Sequence, residues 1–123
     1  MPNEMYDLLI EEKITIYLMM MKIYPNVKGF RFLLDGAKII VNDTNKKKNV
    51  NNILYNDIAY CYNTDRVAID GALRHAIDIS AKRGGFKTFS KDFDFIIKGS
   101  RPTPRELLSA IVIKLKKDKH FNF

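Results

Sequence analysis

The chain has little of what usually carries enzymatic or metal chemistry. Among 123 residues there is one cysteine, Cys61, and there are two histidines, His75 and His120. A lone cysteine cannot close an internal disulfide, which fits a reducing compartment. One cysteine and two histidines are also too few for a zinc site of normal ligand number. No long apolar run is present: Ile14 to Met21, with Thr15 inside it, falls far short of the ~20 residues a membrane span requires. The N-terminus lacks the order of charged, apolar and small residues that marks a secretory signal. No repeat or low-complexity linker divides the sequence. These absences describe one cytosolic domain covering residues 1–123, with no membrane partner, no cofactor and no metal. Asp92 and Asp94 have a spacing open to a hard cation, but the phenylalanines beside them favour a loop or short-helix surface. Gly84-Gly85 has no strand, lysine and hydroxyl around it to make a phosphate loop. No active site is legible, and no enzymatic activity is expected.

Bases are missing from the first twelve residues, which hold Glu4, Asp7, Glu11 and Glu12. The whole chain carries +7, so the remaining 111 residues hold 21 bases against 10 acids, or +11. A field of that sign attracts phosphate backbones. A basic surface kept for solubility would show the same balance.

Apolar residues recur at helical spacing almost throughout. Ile10, Ile14, Tyr17, Leu18 and Met21 form one stripe, predicting an amphipathic helix over 4–23 that stops before Pro25. Phe30, Leu33, Ala37, Ile40 and Val41 predict a second helix, although Ile39 to Val41 alone could pass for a strand. Asn42 to Asn49 is a polar turn region. Val50, Ile53, Leu54, Ile58 and Cys61 form a third stripe, which places the Cys61 thiol on a buried face. After Asn63, either Thr64 or Asp65 can cap the next helix. That helix carries Ile69, Leu73, Ala76, Ile77 and Ser80 inward and ends at Gly84-Gly85, where the chain leaves through φ > 0. A short helix is expected near 90–95, with at least two of Phe86, Phe89, Phe93 and Phe95 buried. The last helix opens on Thr103-Pro104-Arg105-Glu106, a capping box, and buries Leu107, Leu108, Ile111, Val112 and Leu115. The fold class is all-α: five to six helices around a central helix-turn-helix at about 49–83, without a wing.

Within that unit the helix over about 65–83 is the one such motifs lay in the major groove. Its outward positions Arg66, Asp70, Gly71, Arg74 and His75 are the base-contact candidates. Arginine bonds guanine through two donors, an acid accepts from cytosine N4, and glycine allows close approach. Asp70, Arg74 and Asp78, four apart, could equally be a row of surface ion pairs. Lys46, Lys47 and Lys48 before the motif, Lys82 and Arg83 at its end, and Arg101 near the last helix are the phosphate-contact candidates. Thr103 reads better as the cap of its own helix than as an anion ligand.

The run Ile53-Leu54-Tyr55-Asn56-Asp57-Ile58-Ala59, then Asn63-Thr64, then Ala72-Leu73-Arg74-His75-Ala76-Ile77-Asp78 and Arg83-Gly84 resembles the effector domain of the sporulation master response regulator, stage-zero factor A. Pro25, Lys28-Gly29-Phe30, Pro102-Thr103, Glu106 and Lys114-Leu115 extend the likeness over roughly 10–118. The resemblance implies a six-helix, sequence-specific DNA-binding transcription regulator whose partner is double-stranded DNA. It also implies that the stretch after the reading helix meets the sigma subunit of RNA polymerase, making Gly84, Phe93 and Ile97 the polymerase-contact candidates. Ile113, between stripe positions, is a candidate for a homodimer or polymerase contact. The family's reading helix has Arg, Glu and Arg where this chain has Ala68, Asp70 and Gly71, so the family's operator sequence does not carry over. Loss of two arginines also supports an alternative: a degenerate module that binds a partner protein without reading bases. In the family a receiver domain precedes the effector; its absence from this sequence is expected to mean either a portion of a longer protein or a stand-alone relative.

Overall fold

The computed structural model describes residues 2–43, 49–87 and 101–118, and these are all-α, without a strand among them. The helices are α1 (Pro2–Met20), α2 (Lys28–Asn42), α3 (residues 50–61), α4 (Arg66–Lys82) and α5 (Pro104–Lys117), with one further helical turn at 85–87. Three stretches run on without a break in α3: Val50–Asn52, a wide π turn at Ile53–Asp57, and Ile58–Cys61. The all-α expectation holds, and residues 39–41 are helical.

The inward stripes are mostly those that spacing predicts. Ile10, Ile14, Leu18, Met21, Leu33, Ala37, Ile53, Leu54, Ile58, Ile69, Leu73, Ala76, Leu107, Leu108, Ile111 and Leu115 are closed to solvent in a single core. Burial at this scale supplies the main driving force for the fold. In α2, Ile40 and Val41 are only half-buried, while Phe32 and Leu34 turn inward near its start. Helix α2 runs through the middle and lies closest to α4. A Cβ on Gly29 would stand 2.7 Å from the Ala72 carbonyl oxygen, so α2 and α4 approach more closely there than any side chain permits. The Ser80 hydroxyl, buried on the inner face of α4, donates to the Met21 carbonyl at 2.6 Å and ties α4 to the end of α1.

Two helix boundaries carry their expected devices. Asp65, not Thr64, caps α4 by accepting from the Ala68 N–H at 2.9 Å. Thr103 and Glu106 form the reciprocal capping box of α5. Gly84 takes φ +71° as α4 ends, whereas Gly85 is needed for room: a Cβ there would lie 1.9 Å from the Met21 carbonyl oxygen.

Three expectations need correction. Helix α1 stops at Met20, because Lys22 takes φ 63° and ends the helix ahead of Pro25. Cys61 is exposed rather than buried. The π turn explains this: Ile58 donates back to the Ile53 carbonyl, five residues earlier, so every later position rotates and Ala59 takes the inward place. Finally, α1 is apolar on two opposite sides. Met5, Leu8, Leu9, Ile16 and Met19 form an outer stripe that is 42–67% exposed. Phe86 is buried, while Phe89, Phe93, Phe95 and the short helix expected near 90–95 lie outside the described residues. No described helix is long and apolar enough to cross a membrane.

Candidate nucleic-acid interface

Helices α3 and α4 meet through a turn over residues 62–65, in which Asn63 takes φ 51° and Thr64 donates to the Ala59 carbonyl at 2.9 Å. Asparagine tolerates that left-handed conformation better than most residues. The turn is short, so α3 stays against one flank of α4 and leaves its outer side open. Arg66, Gly71, Arg74 and His75 are exposed on that side, and Asp70 is half-buried.

Arg66, Asp70 and Arg74 share a groove of about 380 Å³ with Tyr55 and Asn51 of α3, Val67, and the start of α5 at Thr103, Pro104 and Arg105. A second groove of about 490 Å³ adjoins it and takes in Arg74, His75, Asp78, Arg101 and Pro102. Four of the five base-contact candidates, and one phosphate-contact candidate, therefore line one continuous edge between α4 and α5. Gly71 lines neither groove; a Cβ there would meet nothing within 4 Å.

The electrostatics of this edge are organised by two carboxylates. Asp70 accepts from the Tyr55 hydroxyl at 2.9 Å and from Arg74 Nε at 2.7 Å. The Arg74 hydrogen bond holds its pKa below the ordinary 3.8, against a smaller opposing effect of burial. Burial, and then the bond to Asp70, raises the Tyr55 hydroxyl. The Arg66 guanidinium lies over the Tyr55 ring, 4.5 Å from its centre, a cation–π contact. Asp78 pairs with Lys82 at 3.0 Å and with Arg101, and the Lys82 bond lowers its pKa. Of the Asp70, Arg74 and Asp78 row foreseen as the plain alternative, the Asp70–Arg74 pair forms on the candidate interface, whereas Asp78 takes Lys82 and Arg101 as its partners.

The remaining candidates divide. Arg83 is exposed, but it donates to the Lys22 carbonyl at 3.3 Å and lies over the Tyr24 ring at 5.6 Å, which commits it to the α1–α2 connection. Gly84 is exposed. Lys46, Lys47, Lys48, Phe93 and Ile97 lie outside the described residues. Among the described residues, no three His, Cys, Asp or Glu side chains come together as a metal-ligand set.

Sequence reasoning missed several members of the edge, Tyr55, Val67 and Arg105 among them. Tyr55 sits in the π turn, Val67 is 80% exposed beside it, and Arg105 is the second residue of α5. An exposed β-branched residue on a reading helix was a usable signal; Arg105, some thirty residues away in the chain, was not. The sequence also matches the model of the family described as Sporulation initiation factor Spo0A C terminal, over residues 14–115.

Proposed function

The chain belongs to the Spo0A C-terminal family, and from that premise we propose that it binds duplex DNA sequence-selectively, with α4 in the major groove. The family is one of DNA-binding effector domains of the sporulation response regulator, not of enzymes. What supports selective reading in this chain is one arrangement: Arg66, Arg74 and His75 exposed along α4, with Arg101 and Arg105 at the flank where a phosphate backbone would pass. Forked donors on the helix face read base edges, and flanking cations set the register. Val67 adds an apolar contact for a thymine methyl group. Gly84 and Ile113, both exposed, are the described positions at which a sigma subunit or a second copy on DNA would be met.

A second reading has its own observation. Ala68 and Gly71, where the family carries arginines, are exposed and present no donor, which favours a module that binds protein and no longer reads bases. Selection from a random duplex pool, followed by a salt series on the selected and a scrambled duplex, separates the two. The proposal expects a selected sequence to bind at least tenfold tighter than the scrambled one. Equal affinities with a steep salt slope would reduce it to phosphate binding, and no binding at low salt would overturn it.

A further inference from the structure

Asp70 is central to the α4 edge, and both of its carboxylate oxygens are engaged. Oδ1 accepts from the Tyr55 hydroxyl at 2.9 Å, and Oδ2 from Arg74 Nε at 2.7 Å. Two of the roughly four acceptor sites of this half-buried carboxylate are taken by protein donors that fix its orientation, which leaves it less able to turn toward a cytosine amino group. An Asp–Arg pair four apart on a helix is by itself an ordinary surface feature. Here the pair has a third member from another helix: Tyr55 of α3 fixes the carboxylate from behind, and its own ring lies beneath Arg66.

Arg74 is affected in the opposite way. Its Nε is held, which sets the plane of the guanidinium, while its side chain is 68% exposed. Neither terminal nitrogen has a partner among the described residues. Two parallel donors on a braced, outward arm match the O6 and N7 acceptors of guanine. Asp78 makes a useful contrast: it pairs with Lys82, which has no fork, and it takes Arg101 through a terminal nitrogen, Nη1, rather than through Nε.

Resting on the DNA-binding reading above, we propose that Asp70 is a positioning residue rather than a base reader, and that with Tyr55 it holds Arg74 to read one guanine. Removing Asp70 then has two effects of opposite sign. Guanine discrimination falls because Arg74 loses its orientation. Affinity for unselected DNA rises because an anion leaves a surface that faces phosphates. The gain on unselected DNA follows from charge alone; loss of the same guanine preference that Arg74→Ala removes is what a purely structural role would not produce.

The test uses the full chain and short duplexes selected from a randomised pool. Binding is followed by fluorescence anisotropy for a selected duplex and for versions with each G·C pair changed to A·T. In the unaltered protein, one such change is expected to weaken binding about tenfold. Arg74→Ala and Asp70→Ala are both expected to abolish most of that ratio, while Asp70→Ala binds the scrambled duplex more tightly. Asp70→Asn, which keeps one acceptor, is expected to restore part of the ratio, and Tyr55→Phe to lose part of it. Unchanged helical circular dichroism shows that the variants remain folded. If Asp70→Ala keeps the guanine ratio, or instead loses a preference for cytosine, the inference is overturned while the DNA-binding reading stands. If the unaltered chain binds no duplex at low salt, both fall together.

Discussion

Three glycines show how differently one residue type is used. Gly71 is in the interior of an exposed helix face with nothing within reach of a Cβ, so there it brings only its backbone entropy cost. Gly71→Ala is expected to stabilise the fold by roughly 0.5–1 kcal/mol, as a higher urea midpoint at unchanged slope. Gly29 and Gly85 are required for close approach. A methyl group on Gly85 would have to displace the Met21 carbonyl, which already accepts from Ser80. Either substitution to alanine is expected to destabilise by about 1–3 kcal/mol or more in the same assay. A destabilised Gly71→Ala variant would mean that the outer face of α4 at Gly71 is covered rather than open.

Helix α1 has two apolar sides with unequal energetic weight. Ile14 is wholly enclosed, whereas Leu8 on the opposite side is 67% exposed. Ile14→Ala is expected to cost ~2–5 kcal/mol, and Leu8→Ser to fall within ~0.5 kcal/mol of no change. Thermal unfolding of the two variants checks the pair; a large loss for Leu8→Ser would mean that the outer stripe is covered in solution. Inner-side periodicity predicted the buried stripe correctly, because core packing follows the 3.6-residue repeat. The outer stripe did not register as a feature, since a helix apolar on both sides blurs that repeat. In α3 the repeat itself misleads: one π turn inserts an extra residue into the winding, and Cys61 leaves the face assigned to it. The same turn carries Tyr55, the residue that braces Asp70.

Across the whole molecule, charge is useful only where the fold leaves it free. Arg83 and Arg105 look equivalent in composition, but Arg83 is turned onto Lys22 and Tyr24 while Arg105 lies beside the α4 edge. Arg105→Ala is expected to lower the slope of log affinity against log salt by about one unit. Arg83→Ala should leave that slope unchanged. Equal effects from both would place the DNA path across the α1–α2 connection instead.

Local chemistry written in the chain determined much of this protein. Thr103-Pro104-Arg105-Glu106 starts a helix wherever it stands, Asp65 can cap its neighbour, and an apolar residue every three or four positions identifies the buried side of α4. These are interactions over one or two helical turns, so reading along the sequence finds them, and it found the outward row from Arg66 to His75 as well. Packing decided which of those side chains have partners on other helices. Asp70 and Tyr55 are fifteen residues apart, Asp78 and Arg101 twenty-three, and Arg83 and Lys22 sixty-one. Contacts across such separations depend on how α2 seats against α4 at Gly29 and on one irregular turn in α3, and neither leaves a periodic trace in the sequence.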